Sequence, residues 1–401
     1  MEPFLAGKNV TLGVTGGIAA YKAVELLRLL TKAGAEVRVI MTENAGWFVG
    51  PGTFQALSGK PVCTSVFEEG DAAIRHIDWA RNTDLAVIAP ATANCIGKLA
   101  GGIADDALST YMLAVTAPVV LCPAMNTNMY AHPSVQRNLE ILRGFGHILM
   151  APDAGQLACG TEGPGRLPDP AYIMEKLAAV MAPQDLAGRT VLVTAGPTRE
   201  PIDPVRYISN PSSGKMGFAV ARAARQRGAR VILVSGPVGL ADPADVETHR
   251  VATAREMHAC VMAHLEQADI VIKTAAVSDY RPSSPAAHKI KKSTERLTLE
   301  LEKTPDILQE IGSRKGSRLL VGFAAETRDL KANALQKLEA KNLDLIVGNL
   351  IGAPDSGFAG DTNQVTFFGP DGTVEALAVM SKENAAHRLL DRIVPMLPAA
   401  C

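Results

Sequence analysis

The sequence predicts an α/β protein built from two doubly wound domains joined end to end. Short apolar runs rich in Val, Ile and Leu alternate with helical patterns along the chain, from residues 10–14 to residues 345–347. The pattern also restarts. One complete series ends at the Pro- and Gly-containing stretch 182–189, and a second opens at Val191. A chain of 401 residues has room for two or three such domains, and the boundary falls near Gly188, giving 1–188 and 189–401.

Composition narrows the class. Hydrophobic residues make up 47% and charged residues 20%, the proportions of a globular protein with real cores. The net charge of −1 argues against a nucleic-acid surface. Cys63, Cys95, Cys122, Cys159, Cys260 and Cys401 form no C-x-x-C pair, so neither a zinc site nor a disulfide framework is expected, and a reducing cytoplasm is. No signal peptide is read at the N-terminus, and no apolar run approaches a membrane span.

The first half opens with a strand at 10–14, the turn Thr15-Gly16-Gly17, a helix at 18–31 and a strand at 37–41. The dinucleotide pattern G-x-G-x-x-G cannot be laid on Gly13, Gly16 and Gly17, so this turn suits one phosphate or simply a backbone that needs glycine. Buried-strand runs follow at 85–89, 119–121 and 147–150, each delivering a polar or Pro-rich loop at its carboxyl end, where doubly wound sheets bind ligands. The stretch 158–166, rich in Gly and Pro around Cys159, reads as a mobile flap. His76, Asn126 and Cys159 are candidates for chemistry. Alone, His76 reads more readily as a helix-surface or capping histidine, and Asn126 also reads as a turn residue. Cys159, free in a Gly-rich loop, is harder to dismiss. A helix at 170–181 closes this half.

The second half runs strand 191–194, a Gly/Pro loop, Asn210, the turn Ser212-Ser-Gly-Lys-Met-Gly217 and a helix. A strand feeding a small-residue turn at a helix start is an anion site, because free N–H groups and the helix dipole converge there. A Walker NTPase is not indicated: Ser209 replaces the first Gly of G-x-x-x-x-G-K-[ST], and Met216 replaces its Ser/Thr. Strands follow at 231–235, 270–274, 319–323 and 345–347, and Asp279 lies just beyond one of them, where a carboxylate can reach a metal-bound phosphate. After a Pro/Ser-rich loop, Lys289-Ile-Lys-Lys292 could close over a triphosphate. Lys337 and Lys341 stand four apart on a predicted helix, Pro370-Asp-Gly372 signals a hairpin, and a helix spans about 381–396.

These residues carry two resemblances. Gly16-Gly-Ile-Ala-Ala-Tyr-Lys22, Ala89-Pro-Ala-Thr-Ala93, Pro123-Ala-Met-Asn-Thr-Asn-Met129 and Ala158-Cys-Gly160 resemble the flavin-dependent cysteine decarboxylases, with Tyr130 where Trp is usual and Leu167 where Met often follows the Arg. The resemblance implies a flavodoxin-like flavoprotein domain. Gly16, Gly17, Ile18, Thr42, Pro90, Ala91, Thr92 and Ser109 would hold FMN, His76 would be the base, Asn126 would bind the substrate carboxylate, and Cys159 would donate a proton.

Thr194-Ala-Gly-Pro-Thr-Arg-Glu-Pro-Ile-Asp-Pro-Val-Arg-Tyr-Ile-Ser-Asn210, the 212–217 turn, Lys289-Ile-Lys-Lys292, Gly322-Phe-Ala-Ala-Glu-Thr327 and Lys341-Asn-Leu-Asp-Leu345 resemble phosphopantothenate–cysteine ligase. The implied fold is Rossmann-like. Asn210 would hold an acyl-nucleotide and Lys289 would act on the triphosphate of CTP. Ala275, Asp279, Pro305, Asp306, Ile307, Leu308, Phe323, Lys337 and Lys341 would line the CTP site, with Asp279 toward Mg²⁺ and Thr304 standing where Asn is usual. In this order the pair resembles the bifunctional decarboxylase–ligase family of bacterial coenzyme A synthesis. That implies 4′-phosphopantothenate, cysteine and CTP as substrates and a homo-oligomer with FMN between subunits.

Overall fold

The computed structural model describes residues 4–65, 75–157, 160–291, 297–326, 328–350 and 360–398. Among them the chain divides into two compact units, after Ala182. The stretch 182–189, expected as a linker, packs mostly into the second unit. Leu186 is fully buried there and its N–H donates to the Arg227 carbonyl at 3.0 Å.

The first unit begins β1 (Asn9–Val14), α1 (Ala20–Lys32), β2 (Glu36–Met41), α2 (Pro51–Ser58), α3 (Arg75–Arg81), β3 (Leu85–Ala91), α4 (Ala93–Gly101), α5 (Ala107–Ala114) and β4 (Val119–Pro123). It continues with α6 (Thr127–Ala131), α7 (Pro133–Gly144), β5 (Ile148–Leu149), β6 (Asp153–Gln156), β7 (Glu162–Arg166) and α8 (Pro170–Met181). Helix α1 forms because Ala20, Ala23, Leu27 and Leu30 fall on one buried stripe. The strands bury both faces: Leu85, Val87 and Ala89 meet α1 and α8, while Ala86 and Ile88 meet α4 and α5. The sheet is parallel in the order β2-β1-β3-β4-β5, which is the flavodoxin order. The order reverses between β1 and β3 and opens a crevice at their carboxyl ends.

Part of the expected flap is ordered. Strands β6 and β7 pair antiparallel, and the Met125 N–H donates to the Gly165 carbonyl at 3.0 Å. At Gly165, with φ near 150°, any Cβ would stand 2.2 Å from the Met125 carbonyl oxygen. The glycines read as a sign of mobility instead let two backbones touch.

The second unit runs β8 (Thr190–Ala195), β9 (Arg199–Pro201), β10 (Tyr207–Ser209), α9 (Lys215–Gln226), β11 (Arg230–Ser235), β12 (Glu247–Arg250), α10 (Ala254–His264) and β13 (Ile270–Lys273). Then come β14 (Tyr280–Pro282), β15 (Leu301–Lys303), α11 (Ile307–Ser313), β16 (Leu319–Glu326), α12 (Leu330–Ala340) and β17 (Leu345–Leu350). It ends with β18 (Thr362–Asn363), β19 (Val365–Phe368), β20 (Val374–Ala376), β21 (Met380–Ser381) and α13 (Lys382–Ile393). The sheet order is β12-β11-β8-β13-β16-β17-β19-β20, parallel through β17 and antiparallel beyond it. The first six strands follow the dinucleotide-fold order 3-2-1-4-5-6, with the reversal between β8 and β13. Helices α9 and α13 cover one face and α10, α11 and α12 the other. The Pro370–Gly372 turn joins β19 to β20 as expected.

Candidate functional site

In the first unit the crevice is a cavity of about 1040 Å³. Thr15, just past β1, staples the two loops that frame it. Its Oγ1 donates to the Pro90 carbonyl at 2.7 Å and accepts the Thr92 N–H at 3.1 Å. At Gly16 a Cβ would lie 2.4 Å from Asn44 Cβ, so any side chain there forces the neighbouring loop to shift. Thr92 caps α4, and Asp106 and Ser109 form a capping box on α5. Lys98 bridges Asp105 and Asp106 at 2.7 and 2.8 Å, and these bonds, Asp105 first, raise its pKa.

Gly16, Gly17, Ile18, Thr42, Pro90, Thr92, Ser109 and Asn126 all line this cavity. Ala91 does not. It faces away, fully buried against α4 and α5, because alternate residues of β3 point to opposite faces. Asn126 takes the turn role considered for it. Its Oδ1 caps α6 by accepting the Asn128 N–H at 2.8 Å, while its amide reaches Thr161 Oγ1 at 3.4 Å. His76 belongs to α3, but its side chain lies outside the described part, and Cys159 lies outside the described residues altogether. Thr15, Asn44 and the Lys98–Asp105–Asp106 cluster were missed, since nothing local marks them. The cavity fits a flavin on this structure's own terms. It is roomy and half apolar, and Thr42 Oγ1 is buried at its wall with no hydrogen-bond partner.

In the second unit the long motif after β8 proves largely architectural. Glu200, buried, accepts the Ala254 N–H at the start of α10 at 2.9 Å. Asp203, also buried, accepts N–H groups from Val205, Arg206 and Ile290 at 2.8, 2.9 and 3.1 Å. Asn210 donates to the Ala276 and Val277 carbonyls at 3.1 and 3.2 Å, which fixes it beside the end of β13. Gly217 is demanded by packing, since a Cβ would sit 2.4 Å from Thr274 Oγ1.

Around that strand end a charged cluster converges. Lys341 Nζ bonds Asp306 Oδ2 at 2.6 Å, and Lys337 Nζ donates to the Phe323 carbonyl at 2.9 Å. Lys273, the last residue of β13, feels Lys337, Asp306, Asp279 and Lys341. Burial first, then the Lys337 cation, pushes its ammonium down to about 8. Lys337 is lowered too, chiefly by burial. Lys273 was not anticipated, although a lysine closing a run as apolar as Ile270-Val-Ile is a visible signal. Asp279 is exposed, and Thr304, which replaces the usual Asn, donates its hydroxyl to the Ser278 carbonyl at 2.6 Å. Ser278 Oγ is buried without a partner beside it. Of the other residues assigned to this site, Ala275, Ile307 and Leu308 are core residues, so only their backbones can face a ligand. Pro305 is half-buried. Lys289 is exposed on a segment held by Asp203 and by Arg206, whose guanidinium donates to the Ile290 carbonyl at 2.5 Å. Lys292 lies outside the described residues.

Comparison with known proteins decides the family. Residues 4–182 match the flavoprotein family, and residues 186–396 match the DNA/pantothenate metabolism flavoprotein C-terminal domain. The coenzyme A biosynthesis bifunctional protein CoaBC of Bacillus subtilis (strain 168) is 51% identical over 98% of this chain and 98% of its own length. The chain belongs to the CoaBC family. The Escherichia coli (strain K12) protein of that name is 48% identical over 97% of each chain. A crystal structure of a CoaBC C-terminal domain matches at 44% identity and a TM-score of 0.46, over 53% of this chain and 97% of that one. Membership makes this a bifunctional enzyme of coenzyme A biosynthesis, with a flavoprotein decarboxylase half and a ligase half. Among the described residues, no helix is long and apolar enough to cross a membrane.

Proposed function

We propose that the second half activates the carboxylate of 4′-phosphopantothenate with CTP. The carboxylate attacks the α-phosphate, releasing pyrophosphate, and the cysteine amine then displaces CMP to form the amide. The observation that carries this is the convergence of Lys273, Lys337 and Lys341 with Asp279 and Asp306 at the end of β13, beside Asn210. Negative charge grows on phosphate oxygens in the first step, so clustered ammonium groups stabilise it. Asn210, tethered to two carbonyls, holds the acyl-cytidylate. Asp279 shares Mg²⁺ with the triphosphate. Lys289 closes on the triphosphate from the Asp203-anchored segment, and the 305–308 turn and Phe323 frame the nucleotide.

The first half then decarboxylates 4′-phosphopantothenoylcysteine to 4′-phosphopantetheine. FMN, when bound, supplies the reversible two-electron oxidation that makes the thiol-bearing carbon an electron sink for loss of CO₂. Gly16, Gly17, Ile18, Thr42, Pro90, Thr92 and Ser109 hold it, Asn126 orients the substrate carboxylate, His76 serves as base, and Cys159 returns a proton. A second copy of the chain completes this site. Ile18 and Tyr21 line the cavity yet are each 61% exposed, and nearby Trp47 is 86% exposed, as residues awaiting a partner subunit are. The enzyme works in the cytoplasm.

The test is mass spectrometry of products formed from 4′-phosphopantothenate, cysteine and Mg·CTP by the flavin-loaded enzyme. Formation of 4′-phosphopantetheine supports both halves. Accumulation of 4′-phosphopantothenoylcysteine alone would refute the decarboxylase assignments, and absence of any product would refute the ligase reading.

A further inference from the structure

Away from both clefts, three Lewis-basic atoms converge at the edge of the larger sheet. Glu247 opens β12, the edge strand, and His249 follows it on the same face, because side chains repeat every second residue. His264 closes α10, which packs back along the sheet beneath them. Glu247 Oε1 lies 3.1 Å from His249 Nε2 and 3.9 Å from His264 Nε2, and the ligand atoms of all three residues lie within 4.8 Å of one another. The two imidazole rings are 4.5 Å apart, centre to centre.

The protonation pattern gives this convergence a direction. His264 Nδ1 is 2.8 Å from the Cys260 carbonyl. A carbonyl can only accept, so Nδ1 carries the hydrogen and the Nε2 lone pair of the neutral ring faces Glu247 and His249. An imidazole oriented by a backbone carbonyl behind it is the usual support of a metal-ligating histidine. His249 Nε2–H donates to Glu247 Oε1 at 3.1 Å, and exchange of that proton for a metal ion leaves a carboxylate and two imidazole lone pairs converging on one point. Opposing charge comes from Arg230, which donates to the other carboxylate oxygen, Oε2, at 3.0 Å. The Cys260 thiol lies behind the His264 ring, 4.0 Å from Nδ1, and burial and the Glu247 charge raise its pKa. The last turn of α10 adds the negative end of the helix dipole.

We infer that Glu247, His249 and His264 form a binding site for a divalent transition-metal ion of the zinc class, clamping the edge strand β12 to the end of α10. Two imidazoles and one carboxylate, about 2.0–2.2 Å from the ion, with water in the fourth position, suit zinc chemistry. Strands β11 and β8 separate β12, which carries Glu247 and His249, from β13, which ends in Lys273. The ion is therefore a structural clasp, distinct from any Mg²⁺ that accompanies CTP.

The experiment uses the flavin-loaded full chain, stripped of metal and dialysed against buffered micromolar zinc, with bound metal counted by elemental mass spectrometry. One zinc ion per chain is expected. His249→Gln and His264→Gln should each weaken its retention by roughly tenfold or more. His258→Gln should not, since that residue pairs with Glu310 at 2.6 Å, outside the cluster. Zinc should also raise the thermal midpoint of the unmodified chain and leave that of His264→Gln unmoved, while circular dichroism checks that each variant is folded. Zinc retention unchanged in the two cluster variants would overturn the inference. So would no zinc bound by the unmodified chain, which would leave the proton as the only occupant.

Discussion

The carboxylate of Asp203 accepts the backbone N–H of Ile290 at 3.1 Å, tying the motif loop after β9 to the segment that carries Lys289. The two residues are far apart in sequence and belong to separate motifs, and the bond makes them one device. Asp203→Asn keeps the size of the side chain but removes the charge and half of its acceptors. Pyrophosphate release should slow and hydrogen exchange at 286–290 should rise, while flavin content stays unchanged. The acid limit follows from the same group. Burial opposes ionisation of Asp203, but the N–H groups of Val205, Ile290 and Arg206 and the Arg206 cation outweigh it, so its carboxyl titrates below the usual range. The stabilisation is complete above the unfolded value of about 3.9 and is lost as pH falls further, through the lowered native value. Exchange protection of this segment should hold down to about pH 4 and fail below it.

Lys273 should set an alkaline limit on nucleotide capture. With its ammonium pushed down to about 8, it is charged at neutral pH and loses that charge above this value. The value of kcat/KM for CTP should decline as pH rises through about 8, since this ratio reports groups of the free enzyme. Lys273→Met should lower kcat/KM at neutral pH and abolish the decline. A decline that persists in the variant would assign it to another group. For folding the sign is opposite: the unfolded chain holds this proton up to about 10.4, so the burial penalty eases between the two values.

Gly16→Ala tests the flavin crevice alone. Its Cβ would sit 2.4 Å from Asn44 Cβ, so the loop after β2 must shift. Overpacking of this kind costs about 1–3 kcal/mol, roughly tenfold or more in flavin retention. Absorbance of the purified protein should show flavin loss, and pyrophosphate release by the ligase half should be unaffected.

Arg227 should dominate the stability of the second unit. It is buried and its guanidinium pairs with Asp185 and, at 2.7 Å, with Asp391, joining the stretch before β8 to α13. Its truncation to Ala would strand two carboxylates that partly reach solvent, at a cost of about 2–4 kcal/mol. Urea unfolding of the second unit should shift accordingly while flavin fluorescence reports an unaltered first unit.

By itself the sequence determined the alternation of buried strands and helices, the restart after the first series, the hairpin at Asp371–Gly372, and motifs specific enough to name the chemistry. These are legible because burial imposes a local period of two or of 3.6 residues, and because strand ends reach the carboxyl edge wherever strands are parallel. Only the tertiary structure decided which strand ends become neighbours. The reversals of strand order between β1 and β3 and between β8 and β13 bring Thr15 to Pro90 and Asn210 to Ala276. The same packing turned Ala91 away from the crevice, converted part of a supposed flap into a hairpin, put Lys273 among Asp306, Lys337 and Lys341, and aimed His264 at Glu247. Such meetings depend on contacts between residues far apart in the chain. No local period encodes them.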